Sequence, residues 1–345
     1  MKEPRILICG FGFMGEMHAQ AYRGIPPARL VGIVDVATEK AKRKAEKLGL
    51  GVPLFATLAE ALAATGADVV DICLPTDAHA AAAIEAFRAG RHVFCEKPMA
   101  RNVTDAEKMI QERRKAGTFC QVGHCIRFWP EYQAFERFFR KEAAGRLRSL
   151  TLQRRASRPT GSSENWLGDP ARSGGAALDL HIHDTDYVLH LFGIPSEVLS
   201  RGTRDAGGWS HISTHYLYPD LLVHAEGGWD YPPEWGFQMA FQAVFDRGAV
   251  EFDSRATPSL RVTLEGKATE PLAFEAAAGA AETTGNISSL GGYANELKYF
   301  IGRLVAGKAP ELATLEQSRD SLAVVLAEMT SAEEGRVVAL PRDFS

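Results

Sequence analysis

"RILICGFGFMG", residues 5–15, joins a short apolar run to three closely spaced glycines. Residues 6–9 have the unbroken apolar pattern of a strand buried on both faces, and residues 15–23 read as a helix. Between them Gly10-Phe11-Gly12-Phe13-Met14-Gly15 spells GxGxxG. In that pattern the first glycine permits a tight turn. The second lets a pyrophosphate approach the backbone, and the third lets helix and strand pack closely. A helix N-terminus behind the loop supplies free N–H groups and partial positive charge. Glycines also mark ordinary turns, so the surroundings must decide.

They add a second apolar run, 29–35, ending on Asp35, twenty residues beyond Gly15. A carboxylate there accepts hydrogen bonds from an adenosine ribose and repels a 2′-phosphate. The pattern therefore predicts NAD in preference to NADP, although Lys40, Lys42 and Arg43 follow in the next helix and could hold a phosphate. The alternation continues outward: helix 36–49, strand 67–75, helix 78–90, strand 91–98, helix 104–117 and strand 118–123. Strands alternating with helices give a doubly wound, parallel α/β sheet, a Rossmann domain expected over 1–122.

From 123 to 345 the pattern changes, and a second, α+β domain is expected there. A helix at 130–143 precedes a strand at 147–156, a Gly/Ser/Pro-rich loop at 157–175 and a helix at 176–191. Period-two stretches at 211–219, 221–231 and 237–253 read as antiparallel strands of a large open sheet with one face turned outward. Leu217, Phe241 and Phe245 are read as apolar positions on that outward face. The segment 275–292 reads as a loop, and helices at 292–306 and 314–335 follow.

Composition narrows the function classes. The chain has 345 residues, 24% charged and 46% hydrophobic, with a formal charge of −4. That balance gives no electrostatic reason to bind nucleic acid or an anionic membrane. No apolar stretch approaches a membrane span, and the first residues lack the apolar core of a signal peptide. The five cysteines form no CxxC or Cys/His zinc spacing, which reads as reduced thiols and a cytoplasmic protein.

Two constellations carry chemistry. "GRHVFCEKPMA", 90–100, ends a strand on Glu96, Lys97 and Pro98. Ligands of doubly wound sheets sit beyond the carboxyl ends of the strands, so Lys97 is either an ordinary surface lysine or an ammonium aimed into the crevice. "SGGAALDLHIHDTDYVLHLFG", 173–193, places Asp179 and His183 four apart on a predicted helix, hence on one face, with Asp186 and His190 continuing the stripe. An imidazole with a carboxylate one turn away is a natural proton shuttle. His181, His183, Asp184 and Asp186 also have metal-ligand chemistry. Residues two apart on a helix face different ways, however, so no metal is assigned. Structural histidines are the remaining alternative.

Together these features resemble the glucose–fructose oxidoreductase/inositol dehydrogenase (Gfo/Idh/MocA) family of NAD(P)-dependent oxidoreductases. GFGFMG, Asp35, the EKP at 96–98 and GG-x3-D-x3-H-D at 174–184 occur in that order, joined by "VGHCIRFWPEY" at 122–132 and "TSAEEGRVVAL" at 330–340. The resemblance implies Lys97, Asp179 and His183 as catalytic residues. It implies Gly10, Gly12, Phe13, Met14, Gly15, Asp35, Pro75, Thr76, His79, Glu96 and Lys97 around the cofactor. Arg127, Trp166 and His181 are expected to join the catalytic three on the substrate side. Leu74-Pro75-Thr76 departs from the family's usual Thr-Pro-Asn, and His181 stands where a small residue is usual. Trp166 could stack on a sugar ring or fill a core; Arg154, Arg155 and Arg158 could grip an anion or form a solvated basic face.

The resemblance implies an NAD-dependent oxidoreductase acting on a secondary alcohol of a sugar, a sugar derivative or an inositol-like polyol. It also implies a homodimer or homotetramer through the C-terminal sheet. Competing readings are an NADP-dependent reductase, a cofactor-retaining glycosidase and a non-catalytic cofactor-binding regulator. The regulator would have no need of Lys97, Asp179 and His183.

Overall fold

The computed structural model describes residues 2–275, 290–342 and 344 of the chain. Most of the expected loop at 275–292 lies outside the described residues. The first half builds β1 (Arg5–Cys9), α1 (Phe13–Arg23), β2 (Arg29–Val34), α2 (Thr38–Lys47), β3 (Leu54–Phe55), α3 (Leu58–Thr65), β4 (Val69–Ile72), α4 (Thr76–Arg88), β5 (His92–Glu96), α5 (Val103–Ala116) and β6 (Cys120–Gly123). All six strands run parallel in the order β3-β2-β1-β4-β5-β6. The order reverses between β1 and β4, which opens a crevice beyond their carboxyl ends. β4 is buried at every residue and β5 at all but His92, the two-sided burial that an unbroken apolar run requires. The reading by alternation passed over β3 and α3, whose strand has only two residues.

The second half continues with α6 (Pro130–Arg140), β7 (Leu147–Ser157), α7 (Pro170–Ser173), α8 (Ile182–Phe192), β8 (Glu197–Asp205), β9 (Gly208–Tyr218), β10 (Leu221–Tyr231), β11 (Phe237–Phe245), β12 (Gly248–Asp253), β13 (Leu260–Leu264), β14 (Glu270–Pro271), α9 (Gly291–Val305), α10 (Leu315–Glu334) and β15 (Val338–Ala339). Nine strands form one sheet in the order β14-β13-β12-β11-β7-β10-β9-β8-β15, antiparallel except where β7 and β10 pair. The expected strand 237–253 is a hairpin turning at Asp246 and Arg247.

One face of this sheet packs on α6 and α8. Phe241 and Phe245, expected to point outward, lie on that covered face at 1% and 4% exposure, against Tyr132, Phe135 and Phe138 of α6. Their period was right and their side was wrong, because strict alternation fixes which residues share a face without saying which face is covered. Leu217 does lie on the other face. It pairs with Leu222, which pairs with Ser149, which pairs with Val244, a row across four strands.

The last helices return to the first sheet. Leu297, Phe300 and Ile301 of α9 join the core beneath α1 and β5, and Leu315, Leu322 and Val325 of α10 join the one beside α5. Thr314 and Gln317 form a reciprocal capping box at the start of α10, and Gly335 ends it at φ 69°.

Candidate active site

The glycine loop has the geometry its chemistry demands. Gly10 sits at φ 96°, and a Cβ there would meet the Cys73 carbonyl at 2.5 Å. A Cβ on Gly15 would strike the Gly10 carbonyl at 2.1 Å, so this glycine is required by the close approach of helix and strand. Gly12 differs: a Cβ would meet nothing within 4 Å. The protein's own packing therefore leaves Gly12 unexplained, whereas an incoming pyrophosphate explains it. Gly12 caps α1 without a side-chain hydrogen bond, which leaves the first N–H groups of that helix available to a phosphate. Phe13 is half exposed at the mouth of the loop, with Met14 beside it.

Asp35 directly follows β2, half-buried. One of its oxygens accepts from Phe11 N–H at 2.8 Å and the other from Ala37 N–H at 2.8 Å. A carboxylate has about four acceptor sites, so two remain for ribose hydroxyls. Lys40, Lys42 and Arg43 are exposed, and the lysine that reaches the loop is Lys44, which bonds Phe11 O at 3.2 Å and pairs with Glu16. The first glycine turn, the uncapped helix and the remaining acceptors of Asp35 thus fit a dinucleotide.

Lys97 leaves the end of β5 and crosses to the other half of the chain. Its Nζ donates to Asp179 Oδ1 at 3.1 Å and to the Asp179 carbonyl at 2.5 Å. An ammonium has three donors, so a third remains. Asp179 lies in a π-type turn, Ala177–His181, that runs directly into α8. The sequence reading expected one uninterrupted helix here. The lysine takes the Asp179 carbonyl within this wider turn. Such turns recur at functional sites. His183 follows in the first turn of α8, 8% exposed, with Nδ1 4.0 Å from Cys125 Sγ. Burial, together with the charges of Lys97 and Arg154, holds this imidazole well below its ordinary pKa, so it is neutral and able to accept a proton.

Several expected site residues lie elsewhere. Arg127 is 3% exposed and grips Asp186 through two 2.7 Å bonds, with a third to Gln317. It is an internal strut, and Asp186 belongs to it. Its bidentate fork satisfies a buried carboxylate. His181 is fully buried, with Nε2 2.9 Å from Glu328 and 3.4 Å from the Tyr216 hydroxyl, directed at α10 and the sheet. His79 is buried too, with one ring nitrogen 2.8 Å from the Pro98 carbonyl and the other 2.8 Å from the Leu74 carbonyl. It ties together the two loops that leave β4 and β5, beside Pro75 and the buried Thr76. His190 pairs with Glu136 of α6.

Trp166 is partly buried in the short 3-10 segment Ser163–Gly168. Arg154 is buried against Asp184, Arg155 pairs with Glu226, and Arg158 pairs with Asp205 while lying over the Trp229 ring. These three arginines are paired internally.

The sequence reading also missed a buried polar group beneath Lys97. Glu96 Oε1 lies 3.1 Å from His18 Nε2, and His18 Nδ1 lies 2.9 Å from Asp71. Glu296 of α9 approaches from the other half of the chain. A signal existed: in "YANELKYF", 293–300, Tyr293, Glu296, Leu297 and Phe300 share one helical stripe, which puts a carboxylate among apolar positions.

Residues 4–124 match the model of an oxidoreductase family with an NAD-binding Rossmann fold, and residues 132–251 match the GFO/IDH/MocA C-terminal domain. The chain is 30% identical over 189 residues to the myo-inositol 2-dehydrogenase of Thermotoga maritima, covering 55% of each chain. It is 26% identical to the inositol 2-dehydrogenase of Rhizobium meliloti, over 97% of this chain and 99% of that one. The chain therefore spans about half the length of the first relative and nearly all of the second. A crystal structure of an oxidoreductase from Agrobacterium radiobacter, in complex with NAD+, L-tartaric acid and magnesium, superposes with a TM-score of 0.84 at 18% identity. It covers 98% of both chains and shows the same fold. Among the described residues no helix is long and apolar enough to cross a membrane.

Proposed function

The chain belongs to the Gfo/Idh/MocA family of oxidoreductases with an NAD-binding Rossmann domain, and from that premise we propose that it is an NAD-dependent dehydrogenase of a secondary alcohol on a cyclic polyol or sugar. One observation supports this reading most: Lys97 of the first sheet meets Asp179 of the second half of the chain, with a neutral His183 one turn further on. The inositol dehydrogenases among its relatives support this choice of substrate class.

In this reading His183 takes the hydroxyl proton from the substrate alcohol. The third donor of Lys97 holds the same oxygen and favours the negative charge that develops there. Asp179 holds the ammonium in place through its carboxylate and its carbonyl. A bound nicotinamide would supply the hydride acceptor for the carbinol carbon. Gly10, Gly12, Phe13, Met14, Gly15 and Asp35 would hold the dinucleotide, together with Pro75, Thr76 and Glu96. Trp166 borders the substrate.

The proposed division of labour gives residues 1–122 to the cofactor and 123–345 to substrate and assembly. A homodimer or homotetramer forms through the outward row on the second sheet, where Leu222 is 76% and Val244 46% exposed. The deciding experiment offers a panel of inositols, sugars and sugar acids with NAD+ and, separately, NADP+. NADH formation with a cyclic polyol or sugar is expected. Turnover with NADP+ alone, or none with any secondary alcohol, would overturn the reading.

A further inference from the structure

The buried group under Lys97 contains more charge than a dry interior holds. His18 and Tyr22 come from α1, Asp71 and Cys73 from β4 and its end, Glu96 and Lys97 from β5, and Tyr293 and Glu296 from α9. Cys125 follows β6. His18 is fully buried, with Asp71 at 2.9 Å and Cys73 Sγ at 3.3 Å on one ring nitrogen and Glu96 at 3.1 Å on the other. The second oxygen of Glu96 accepts the Lys97 backbone N–H at 3.2 Å. Glu296 is fully buried, and neither of its oxygens has a hydrogen-bond partner among the described residues. One of its oxygens, one of Glu96 and a His18 nitrogen all lie within 4.8 Å of one another.

Two carboxylates this close, both out of water, do not both ionise. Burial and the neighbouring Glu96 and Asp71 charges drive Glu296 well above the usual carboxylate range. Burial also opposes the Glu96 charge, but the His18 hydrogen bond and charge, with Lys97, bring it below that range. Burial opposes the His18 charge in turn, and Asp71 outweighs it, raising His18 well above its ordinary value. The group is therefore a charged imidazole between two carboxylates, with a neutral carboxyl beside the second. A protonated Glu296 has one strong donor, and a Glu96 oxygen lies within 4.8 Å of a Glu296 oxygen.

Building on the reading that Lys97 is catalytic, we propose that Glu296 and His18 are positioning residues for it: Glu296 holds a carboxyl proton against Glu96, and Glu96 anchors the strand end that presents the ammonium. A helix from the far end of the chain thereby acts on the dinucleotide half at the residue next to the chemistry.

The test begins without substrate. Glu296→Gln keeps a donor toward Glu96 but cannot ionise. A carboxyl whose folded pKa is raised contributes stability in full below its unfolded value, about 4.5, and loses it as pH rises toward the folded value. The E296Q protein escapes that loss. Its melting temperature should exceed that of the wild type, by a margin that widens from pH 5 to pH 9. A margin that does not widen with pH would overturn the proposal, as would a stoichiometric Zn2+ site abolished by E296Q, since either means an ionised Glu296.

The second arm measures the acylation rate of Lys97 by mass spectrometry in wild type, E296Q and E296L. The rate in E296L should depart several-fold from wild type, and E296Q should restore it. Equal rates in all three would overturn the positioning role. Should E296L fail to fold, the pH profile of Lys97 labelling decides: E296Q should lack an alkaline inflection that the wild type has, and coincident profiles would overturn the role. In the third arm, turnover in E296Q should exceed that in E296L by about tenfold. A wild type with no turnover on any alcohol would remove the dehydrogenase reading, while the melting and labelling arms would still decide the proton and the positioning.

Discussion

Lys97 Nζ lies 3.1 Å from Asp179 Oδ1, across 82 positions of sequence and between the two halves of the chain. The ammonium and the carboxylate are both largely buried, with side chains 14% and 20% exposed. The contact brings the end of β5 against the π-type turn before α8, and the adjacent His183 shares its electrostatic field.

If Lys97 holds the substrate oxygen, its loss should fall on turnover. Lys97→Met is expected to lower kcat by about 10²- to 10³-fold while circular dichroism and NADH binding stay close to wild type. An equal loss in NADH affinity would instead assign the lysine to the cofactor.

The neutral state of His183 sets the acid limb. Because its folded pKa is depressed, kcat/KM should be level across neutral pH and fall only well below about 6.5, where an ordinary histidine titrates. His183→Asn should lower kcat by about 10²- to 10⁴-fold and abolish that limb, as a pH–rate series would show.

His124 gives a stability prediction. Burial, partly offset by Asp186, lowers its pKa to about 4. A histidine with a depressed folded pKa contributes stability above its unfolded value and loses it as pH falls. Denaturant unfolding should therefore lose up to about 3 kcal/mol between pH 6.5 and 4. His124→Gln should flatten that slope.

Arg127 and Asp186 form a buried ion pair. Arg127→Leu alone should destabilise the fold by about 3–5 kcal/mol, because it strands a buried carboxylate. Adding Asp186→Leu should recover part of the loss. Urea titrations of the single and double variants test this. A raised KM with unchanged stability would return Arg127 to the substrate side.

Asp35→Ser should weaken NAD+ by about tenfold, the value of one charged hydrogen bond of about 1.5 kcal/mol, and should narrow the preference over NADP+. It also removes the acceptors of Phe11 N–H and Ala37 N–H, so the melting temperature should drop as well.

Much of this was legible in the chain itself. GFGFMG, the apolar runs and the spacing to Asp35 identify the doubly wound half, because a phosphate-binding turn and a two-sided parallel strand each demand particular residues at particular intervals. Lys97, Asp179 and His183 stood out because a charged strand end and a carboxylate–imidazole spacing are local patterns. Arg127 and His181 misled for a local reason as well: a motif places a residue on a segment but does not say which way the side chain points. The inward face of the second sheet was ambiguous for the same cause, since Phe241 and Phe245 alternate equally well on either side.

What the sequence determined, then, is whatever depends on near neighbours: the glycine turn, the strand–helix alternation and the residues able to carry a proton. Tertiary structure alone decided which of them meet. It turned Arg127 into a partner for Asp186 and His181 into one for Glu328, and it brought Glu296 from α9 to Glu96 at the end of β5. Those pairings span long loops of chain, and a buried charge is settled by whatever group packing delivers to it, which no interval along the sequence records.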